Sequence, residues 1–576
     1  MSYLYKTCVR KYLYIYLQKS IKMREAVKEL LKRLNHKINL DRLKKDISKS
    51  YKLKKIPTNI EILNYLTNEE RLRFKDYLIT KPVRTLSGVA PVAVMTKPLV
   101  CPHVKKGVGP CSYCPGGPNS YFGNTPQSYT GKEPATMRAI RSNYDPYLQV
   151  FNRLEHYVIL GQVPEKIELI VMGGTFPSFN KKYQEEFIKY CFRALNDFSR
   201  LFYNKNGFNY NKFKRFFELP CDVFSKERTK RIQNKLRKLK GKASLEKEQS
   251  RNEKARIRCI GLTIETRPDY GKLKQGNEML RLGCTRVELG IQSVYDDVLK
   301  KIQRGHTIKD SIESIRILKD LGFKLNFHMM LGINNSRELQ GLKELFINED
   351  FKPDMLKLYP CMVLKGTRLY DDYKKGKYNP LNTKDAAEII SEFKRDMPSY
   401  CRIMRIQRDI PTSITEAGPD KTNLRQYVDK LLKEKEIRCN CIRCREIGRN
   451  IAEGKPKLKV LGYEASKGKE FFISLEDKNS LYGFCRLRFP SQFIRKEITK
   501  DSVLIRELHI YGESVELGKK GKIQHKGYGK LLLRKAEEIS EKNNKNKIVV
   551  ISGIGVKEYY KKLGYKKDGP YMVKYL

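Results

Sequence analysis

The chain has 576 residues, too many for one compact core, and its 40% hydrophobic and 10% aromatic content is that of a folded protein of roughly two to four domains. Lysine and arginine total 117 against 64 acidic residues, so the formal net charge is +53 and the pI about 9.7. This charge disfavours an enzyme of neutral metabolites and favours a polyanionic partner such as RNA, although a biased genome also produces lysine-rich surfaces.

Residues 1–80 are predicted to form a small, basic helical domain. From Met23 to Leu34 apolar residues recur at intervals of three and four, which is typical of an amphipathic helix. We interpret the cationic face of this domain as a tRNA-binding surface, because clustered lysines and arginines contact phosphates. A plain solvated helical bundle is the alternative interpretation.

The most informative stretch is CPHVKKGVGPCSYCPGGP, which contains Cys101, Cys111 and Cys114 in the spacing C-x9-C-x2-C. Three thiolates leave one iron of a 4Fe-4S cluster without a protein ligand, and that iron can chelate S-adenosylmethionine and start radical chemistry. The glycine pair that follows lets the backbone approach a cofactor closely. A structural zinc site with His103 as a fourth ligand is the alternative.

Residues 81–400 alternate short apolar strands with helical patterns, which predicts an α/β fold with a partial or complete TIM-like βα barrel. Polar residues end the predicted strands, where such barrels build their active sites. These residues are Glu265, Glu288, Gln292, His328 and Lys357. Residues 203–258 interrupt the pattern and predict an exposed basic insertion, partly helical or disordered.

Residues 401–457 are predicted to be a linker with a second cysteine motif, in which Cys439, Cys441 and Cys444 have the spacing C-x-C-x2-C. This spacing predicts a zinc site without an evident fourth ligand; a second iron-sulfur cluster or three unrelated buried thiols are the alternatives. Fourteen cysteines without an apolar signal segment predict a cytoplasmic protein, and no transmembrane run of the required length is found.

Residues 458–576 differ in pattern from the preceding domain. A strand over 503–512 precedes the motif Q-x-x-G-x-G at residues 524–529, which opens a helix and offers backbone N–H groups to a pyrophosphate. A further strand and Tyr559-Tyr560 follow, an order similar to that of GNAT acetyltransferases. Core packing is the alternative role for either tyrosine.

Taken together, these motifs resemble the family of Elongator complex protein 3, the catalytic subunit of Elongator. The resemblance covers about residues 81–576 apart from the insertion, and it rests on the cluster loop and on several further motifs. These are VMGGTFPS, IGLTIETRPDY, GCTRVELGIQS, RGHT, HMMLG, RIQRDIP, IRELHIYG, QHKGYGKLLL and ISGIGVKEYYKKLGYKKDGPYM. It implies a radical SAM barrel followed by a GNAT domain, with a small helical N-terminal domain.

The resemblance also implies roles for individual residues. Cys101, Cys111 and Cys114 would ligate the 4Fe-4S cluster, and Lys357 would be an active-site lysine. Lys166 and Tyr560 would contact acetyl-coenzyme A and take part in catalysis. The remaining contacts to acetyl-coenzyme A would be Glu507, Leu508, His509, Ile510, Tyr528, Gly529 and Lys530.

The implied activity is that of an acyltransferase acting on tRNA. A radical formed from S-adenosylmethionine would abstract hydrogen from the acetyl methyl group, and the carbon radical would add to carbon 5 of the wobble uridine, giving 5-carboxymethyluridine after thioester hydrolysis. The anticodon stem-loop would be the partner, without accessory subunits, and a homodimer is compatible with the sequence. Two rival functions are a protein-lysine acetyltransferase with a structural iron-sulfur cluster and a non-catalytic RNA-binding scaffold.

Overall fold

The computed structural model describes residues 21–35, 38–78, 88–220, 225–333, 335–448, 454–512 and 526–576. The chain divides into two compact units. The first comprises Met1–Arg84, Phe151–Pro164 and Phe198–Leu239, and the second Thr85–Val150, Glu165–Asp197 and Lys240–Leu576. The predicted boundary at residue 80 lies outside the described residues, and the four predicted domains stay a prediction. None of the described helices is long and apolar enough to cross a membrane.

The secondary structure alternates between helices and strands along most of the chain. The helices are α1 (residues 21–33), α2 (Leu40–Ser50), α3 (Asn59–Tyr65), α4 (Asn68–Leu78), α5 (Pro102–Lys105), α6 (Pro134–Arg141), α7 (Pro146–Ile159), α8 (Lys181–Phe202), α9 (Tyr210–Phe216), α10 (Lys226–Lys240), α11 (Leu245–Lys254), α12 (Leu273–Arg281), α13 (Asp296–Lys301), α14 (Ile308–Asp320), α15 (Glu338–Ile347), α16 (Arg368–Lys374), α17 (Thr383–Arg395), α18 (Leu424–Glu434), α19 (Ile442–Arg445), α20 (Tyr528–Lys542) and α21 (Lys557–Lys561). The strands are β1 (Val89–Met95), β2 (Gly117–Ser120), β3 (Gly123–Thr125), β4 (Lys166–Met172), β5 (Tyr203–Asn204), β6 (Gly207–Phe208), β7 (Arg258–Thr266), β8 (Arg286–Gln292), β9 (Lys324–Leu331), β10 (Met355–Pro360), β11 (Arg402–Ile406), β12 (Lys457–Ala465), β13 (Gly468–Glu476), β14 (Leu481–Phe489), β15 (Ser502–Ile510), β16 (Lys547–Val550), β17 (Lys566–Asp568) and β18 (Tyr571–Tyr575).

The first unit is built on the N-terminal helices, and local sequence signals start them. The side chain of Asn39 caps α2, and Thr58 and Glu61 form a capping box at the start of α3. The apolar face predicted for α1 is buried and packs with residues of α2, α3 and α4 in one core. The apolar periodicity of the sequence therefore predicted the buried face of α1 correctly.

The insertion at 203–258 takes the partly helical form of the two that were expected, with α9, α10 and α11 among its described residues, and part of it is buried. Its part in the first unit packs through phenylalanines: Phe202, Phe213 and Phe217 are buried, with ring centroids 4.7–5.6 Å apart. Arg228 of α10 is buried and pairs with the buried Glu155 in the same unit. Buried phenylalanines therefore form the core of this segment, although its sequence is rich in charged residues.

The first sheet of the second unit holds seven parallel strands in the order β1-β4-β7-β8-β9-β10-β11. Among the described strands, β1 and β11 lie at opposite ends of this order, so the barrel is the partial form of the two that were predicted. Side chains of β4 alternate between fully and partly buried, whereas every residue of β8 is buried. The central strands therefore lie deepest, as in other parallel sheets covered by helices.

The second sheet also has seven strands, in the order β12-β13-β14-β15-β16-β18-β17. All its neighbours are antiparallel except β15 and β16, which pair in parallel from Ser502↔Lys547 to Ile505↔Val550. The second half of β15, Arg506–Ile510, continues beyond that pairing. One edge of β15 is thus open to a ligand at the point where two parallel strands diverge.

Buried charges join the two sheets within the second unit. Arg506 of β15 donates to both carboxylate oxygens of Asp354, at 2.6 and 2.7 Å, and Arg488 of β14 pairs with Asp320 at 2.6 Å. Glu470 of β13 lies 2.9 Å from Arg506 and 3.1 Å from Arg488. These side chains are 0–1% exposed, so the pairs lie in an environment of low dielectric constant. Removal of one partner would leave the other charge buried and uncompensated.

Candidate active site

The cysteine loop is held by backbone hydrogen bonds within the loop and to the C-terminal end of α13. The Cys114 N–H donates to the Cys111 carbonyl at 2.9 Å, and the Ser112 N–H donates to the Ile302 carbonyl at 3.0 Å. Gly116 has no room for a side chain, because a Cβ would lie 2.3 Å from the carbonyl oxygens of Pro126 and Tyr129. The glycine is therefore required by close backbone packing next to the cysteines.

The separation of the sulfurs distinguishes the two cysteine motifs. Among the described residues, only Cys439, Cys441 and Cys444 bring three cysteine sulfurs within 4.8 Å of one another. A tetrahedral zinc ion with Zn–S bonds of about 2.3 Å holds its sulfurs about 3.8 Å apart. The wider spacing of the sulfurs of Cys101, Cys111 and Cys114 suits a cluster whose ligands bind different irons better than it suits zinc.

All three cysteines of the loop line one cavity that is open to solvent. The cavity lies at the carboxyl ends of the strands of the first sheet, and the residues that follow successive strands share it. They include Met172, Gly174, Glu265, Thr266, Gly290, Gln292, His328, Met330, Lys357, Tyr359, Arg405 and Arg408. The predicted strand-end polar residues are thus brought together with the cysteine loop.

Three residues that line this cavity carry buried polar atoms without a hydrogen-bond partner. Among the described residues, Gln292 Oε1, Arg304 Nε and Arg267 Nη1 are buried without a hydrogen-bond partner. Gln292 has a positive φ of 70°, and a Cβ on Gly290 would lie 2.4 Å from Arg304 Nη2. Buried polar groups left without partners and a strained backbone indicate a ligand site.

Arg304 also contacts the cysteine loop directly. Its Nη1 donates to Cys111 Sγ at 3.4 Å and its Nη2 donates to the Gly290 carbonyl at 3.0 Å. This arginine was not among the predicted site residues, although it begins the RGHT motif. A single arginine twelve residues after the end of β8 carries no local signal, and only the folded chain brings it to the cysteines.

A charge cluster forms the inner wall of the cavity. Glu288 is 1% exposed, and its carboxylate contacts Lys357, accepts from Asn326 at 3.1 Å and lies 2.9 Å from His328 Nε2. Burial opposes the ionisation of Glu288, but Lys357 and His328 outweigh it and hold its pKa well below the usual range. The ammonium group of Lys357 is thus the positive charge that pairs with the buried Glu288 carboxylate.

Neighbouring groups in the cluster respond to the same environment. Burial, followed by the nearby Lys357, lowers the pKa of His328 to about 4, so its imidazole is neutral at pH 7. Burial raises the pKa of Glu265 to about 7, with the charge of Glu288 adding to the effect and that of Lys357 opposing it. The Tyr129 hydroxyl donates to Glu265 at 3.2 Å. Glu265 is therefore the group of this wall that titrates near neutral pH.

Lys166, a predicted acetyl-coenzyme A contact, lies away from this cavity. It begins β4, whereas Met172 at the end of β4 lines the cavity, so a seven-residue strand of about 20 Å separates them. Burial and the adjacent Arg258 lower the pKa of Lys166. A Cβ on Gly555, two residues before α21, would lie 2.5 Å from Arg258 Cβ. The amino-terminal end of β7 in the first sheet therefore packs against the segment between β16 and α21.

Comparisons with known proteins agree with this architecture. The ELP3 N-terminal domain model matches residues 21–86, the radical SAM superfamily model 229–346 and the radical SAM C-terminal domain model 353–434. The chain is 43% identical to the tRNA uridine(34) acetyltransferase of Methanocaldococcus infernus, covering 90% of this chain and 92% of that protein. It is 39% identical to Elongator complex protein 3 of Saccharomyces cerevisiae, covering 96% and 94%.

The chain belongs to the Elongator complex protein 3 family. A solved structure, the archaeal Methanocaldococcus infernus Elp3 with residues 1–46 deleted, is 40% identical and superposes with a TM-score of 0.68, covering 85% of this chain and all of that one. The predicted family, the α/β fold with its radical SAM sheet, and the enzyme class, an acyltransferase of the radical SAM superfamily, are confirmed.

The second sheet and the helix α20 carry several of the predicted acetyl-coenzyme A contacts. Glu507, Leu508, His509 and Ile510 form the end of β15 beyond its pairing with β16. Burial opposes the ionisation of Glu507, but Lys324 and Arg486 outweigh it and lower its pKa. Tyr528, Gly529 and Lys530 begin α20 after Gly527, which has a φ of 85°. Gln524 and His525 of the predicted motif lie outside the described residues.

The two tyrosines of α21 differ in environment. Tyr560 is buried at 6% exposure, and its ring packs against Tyr565 with centroids 5.6 Å apart. Tyr559 is less buried, and its hydroxyl would lie 2.8 Å from a Cβ on Gly529. Tyr560 was the predicted thioester contact, whereas Tyr559 is the residue whose hydroxyl borders the start of α20.

The linker arginines serve the fold as well as the surface. Arg445 donates to the carbonyl oxygens of Asn440 at 2.8 Å and Ser399 at 2.7 Å, and it pairs with Glu476 at 2.7 Å. Arg408 lies in the cavity and donates to the Ser128 carbonyl. The Arg445 contacts hold the backbone next to the second cysteine motif, whereas Arg408 belongs to the wall of the first cavity.

Proposed function

We propose that this protein modifies the wobble uridine of tRNA, using acetyl-coenzyme A and radical chemistry to form 5-carboxymethyluridine. The observation that carries the proposal is the cavity in which Cys101, Cys111 and Cys114 meet the strand-end groups of the radical SAM sheet. The same chain carries a second sheet with an open edge on β15. Relatives named tRNA uridine(34) acetyltransferase and Elongator complex protein 3 support the substrate and the transfer.

The three loop cysteines would hold a 4Fe-4S cluster, and Gln292, Arg304 and Arg267 would bind the polar atoms of S-adenosylmethionine. When bound, these groups supply a 5′-deoxyadenosyl radical. The walls of the cavity keep Lys357 charged beside Glu288, so the ammonium can donate to a carbonyl oxygen of the base. Neutral His328 and titrating Glu265 offer exchangeable protons next to it.

The open edge of β15 would bind the pantetheine arm of acetyl-coenzyme A through the backbone of Glu507–Ile510. The start of α20, a 15-residue helix, presents free backbone N–H groups and its positive dipole end at Tyr528, Gly529 and Lys530. A pyrophosphate suits that position. Lys166 would contact the same ligand from the first sheet, and Tyr560, or Tyr559 in its place, would lie beside the thioester.

The lysine-rich surface would hold the tRNA. A formal charge of +53 supplies many phosphate contacts without base specificity, so the anticodon base itself must leave its stack and enter the cavity to be selected. Cys439, Cys441 and Cys444 would bind zinc, because their sulfurs lie within 4.8 Å of one another. The zinc would order the linker that joins the two catalytic sheets.

The test is anaerobic reconstitution of the full chain with iron and sulfide, followed by incubation with tRNA, dithionite, S-adenosylmethionine and acetyl-coenzyme A. We expect 5-carboxymethyluridine at position 34, with one 5′-deoxyadenosine, one methionine and one coenzyme A released per modified base. Acetylation of protein lysines without S-adenosylmethionine, and no modified nucleoside, would instead support a protein acetyltransferase.

A further inference from the structure

Lys394 is a buried lysine whose amine lies against the linker cysteines. It stands one residue before the end of α17, its side chain is 0% exposed, and its Nζ lies 3.5 Å from Cys444 Sγ, to which it donates. The acceptor of this hydrogen bond is a sulfur and not a carboxylate. A buried ammonium group costs several kcal/mol unless an anion accompanies it. Negative charge on the adjacent cysteines would therefore stabilise the buried ammonium group of Lys394.

The cysteines can supply that charge when they bind a metal. Cys439 and Cys441 are buried at 8% and 0% exposure, and the three sulfurs lie within 4.8 Å of one another. Three thiolates around one divalent ion carry a net charge of −1, which also requires a partner in a buried site. One ammonium group neutralises one such centre. The charge of Lys394 and the charge of the centre therefore balance.

The fourth ligand that the sequence left open is not supplied by the nearest remaining cysteine. Cys401 is close in the backbone, since its carbonyl accepts from the Ile442 N–H at 2.9 Å. Its sulfur is nevertheless not part of the group that lies within 4.8 Å among the described residues. Lys394 cannot ligate as an ammonium group either, because it then has no free lone pair.

We propose that Lys394 is the charge partner of a tris-thiolate metal centre: its ammonium group donates to the thiolates of Cys439, Cys441 and Cys444, which hold one zinc ion without a fourth protein ligand. Lys394 is thus a positioning residue for the metal site. It reaches the linker from α17, so the centre ties the end of the radical SAM region to the linker. The inference rests on the zinc site proposed above and is independent of the tRNA chemistry.

The test uses full-length protein and measures zinc directly. Lys394→Met removes the charge at nearly constant length, Lys394→Arg keeps it, and Lys384→Met changes an exposed lysine of the same helix as a control. Zinc content is measured by mass spectrometry and affinity by competition with a chromophoric chelator. We expect one zinc per chain in the wild type, about 10–100-fold weaker binding in Lys394→Met, and affinity within about threefold of wild type in Lys394→Arg and Lys384→Met.

Cobalt substitution provides a second measurement, because cobalt thiolate charge-transfer bands report the number of thiolates and the ligand-field bands the geometry. The cobalt-saturated wild type and Lys394→Arg should both show three thiolates and the same ligand-field bands. If Lys394→Met does not fold, these two proteins still decide the question. Loss of binding in Lys394→Arg, or altered ligand-field bands, would assign Lys394 as a metal ligand and overturn the proposal.

Two other outcomes would also overturn the inference: wild-type zinc affinity in Lys394→Met, or a wild-type protein that binds no zinc. Neither affects the proposed function, which is measured separately by the modification of tRNA. A zinc-loaded wild type that modifies no tRNA would refute the proposed function and leave the metal centre as described.

Discussion

The buried ion pair between Arg506 and Asp354 is expected to hold the two seven-stranded sheets of the second unit together. Arg506 donates 2.6 and 2.7 Å hydrogen bonds to the two Asp354 oxygens, a 2.7 Å hydrogen bond to the Phe323 carbonyl, and a 2.9 Å hydrogen bond to Glu470. Arg506→Met keeps an unbranched apolar stem but removes all these donors. Two carboxylates then remain in a site that water does not reach.

The size of the effect follows from this burial. Removing one partner of a buried ion pair costs about 3–5 kcal/mol, because the other charge stays desolvated. Arg486 lies 3.6 Å from Asp354 and Arg488 lies 3.1 Å from Glu470, so part of the charge stays compensated and we expect about 3 kcal/mol. Each kcal/mol lowers Tm by about 2–4 °C in a unit of 150–250 residues and by less in a larger one. We therefore expect a decrease of about 3–8 °C.

Differential scanning calorimetry of the full chain checks this expectation. Asp354→Asn alone should also destabilise, and the double variant Arg506→Met with Asp354→Asn should lose less than the sum of the two single changes. Arg395→Met is the matched control, since Arg395 is 52% exposed and its pair with Glu392 contributes little. A Tm for Arg506→Met within 1 °C of this control would refute the assigned role.

The same pair makes a pH-dependent contribution of known sign. Burial opposes the ionisation of Asp354, but Arg506 and Arg486 outweigh it and hold its pKa below the usual value near 3.8. The folded state therefore holds fewer protons on this group, and the pair's contribution is present above pH 3.8 and is lost as the pH falls further. Asp354→Asn should flatten the acid side of the stability profile.

Three other predictions concern the cofactor sites. Cys111→Ala should abolish iron incorporation, measured by iron content, while acetyl-coenzyme A binding by calorimetry stays unchanged; Cys191→Ala, a buried cysteine outside the loop, serves as control. The Tm of Glu265→Gln minus that of wild type should be more positive at pH 8 than at pH 5. The reason is that burial raises the pKa of Glu265 to about 7, so this group's contribution to wild-type stability is fully present below pH 4.5 and is lost as the pH passes 7. Tyr559→Phe should lower thioester hydrolysis at least tenfold if its hydroxyl contacts the ligand, and Tyr560→Phe should do so if the family-based assignment is correct.

Each of these predictions has an outcome that contradicts it. Iron retained in Cys111→Ala would show that Cys111 does not bind the cluster. A constant Tm difference between Glu265→Gln and wild type from pH 5 to pH 8 would show that Glu265 does not titrate near 7. Wild-type hydrolysis rates in both tyrosine variants would exclude either hydroxyl from the thioester site.

Several features of the site were predictable from local sequence. The spacing of the loop cysteines indicates a cluster site, and the glycine pair after Met172 and Gly527 at the start of α20 have positive φ values that few other residues tolerate. Polar residues at strand ends could be grouped in one cavity because parallel strands end at the same edge of a sheet. Helices in the insertion were one of the two forms expected, but its buried core was not predicted, since its charges mask the phenylalanines that form that core.

The sequence by itself determined the chemical class of this protein. The types of ligand residues and their spacing are local properties of the chain, and they do not depend on how the chain packs. Only the tertiary structure decided which groups meet across 50 to 193 residues of sequence: Arg304 with Cys111, Lys394 with Cys444, and Arg506 with Asp354. It also separated Lys166 from the cluster cavity by the length of β4. Such distances depend on the register and stacking of whole sheets, which long-range burial sets and no local pattern encodes.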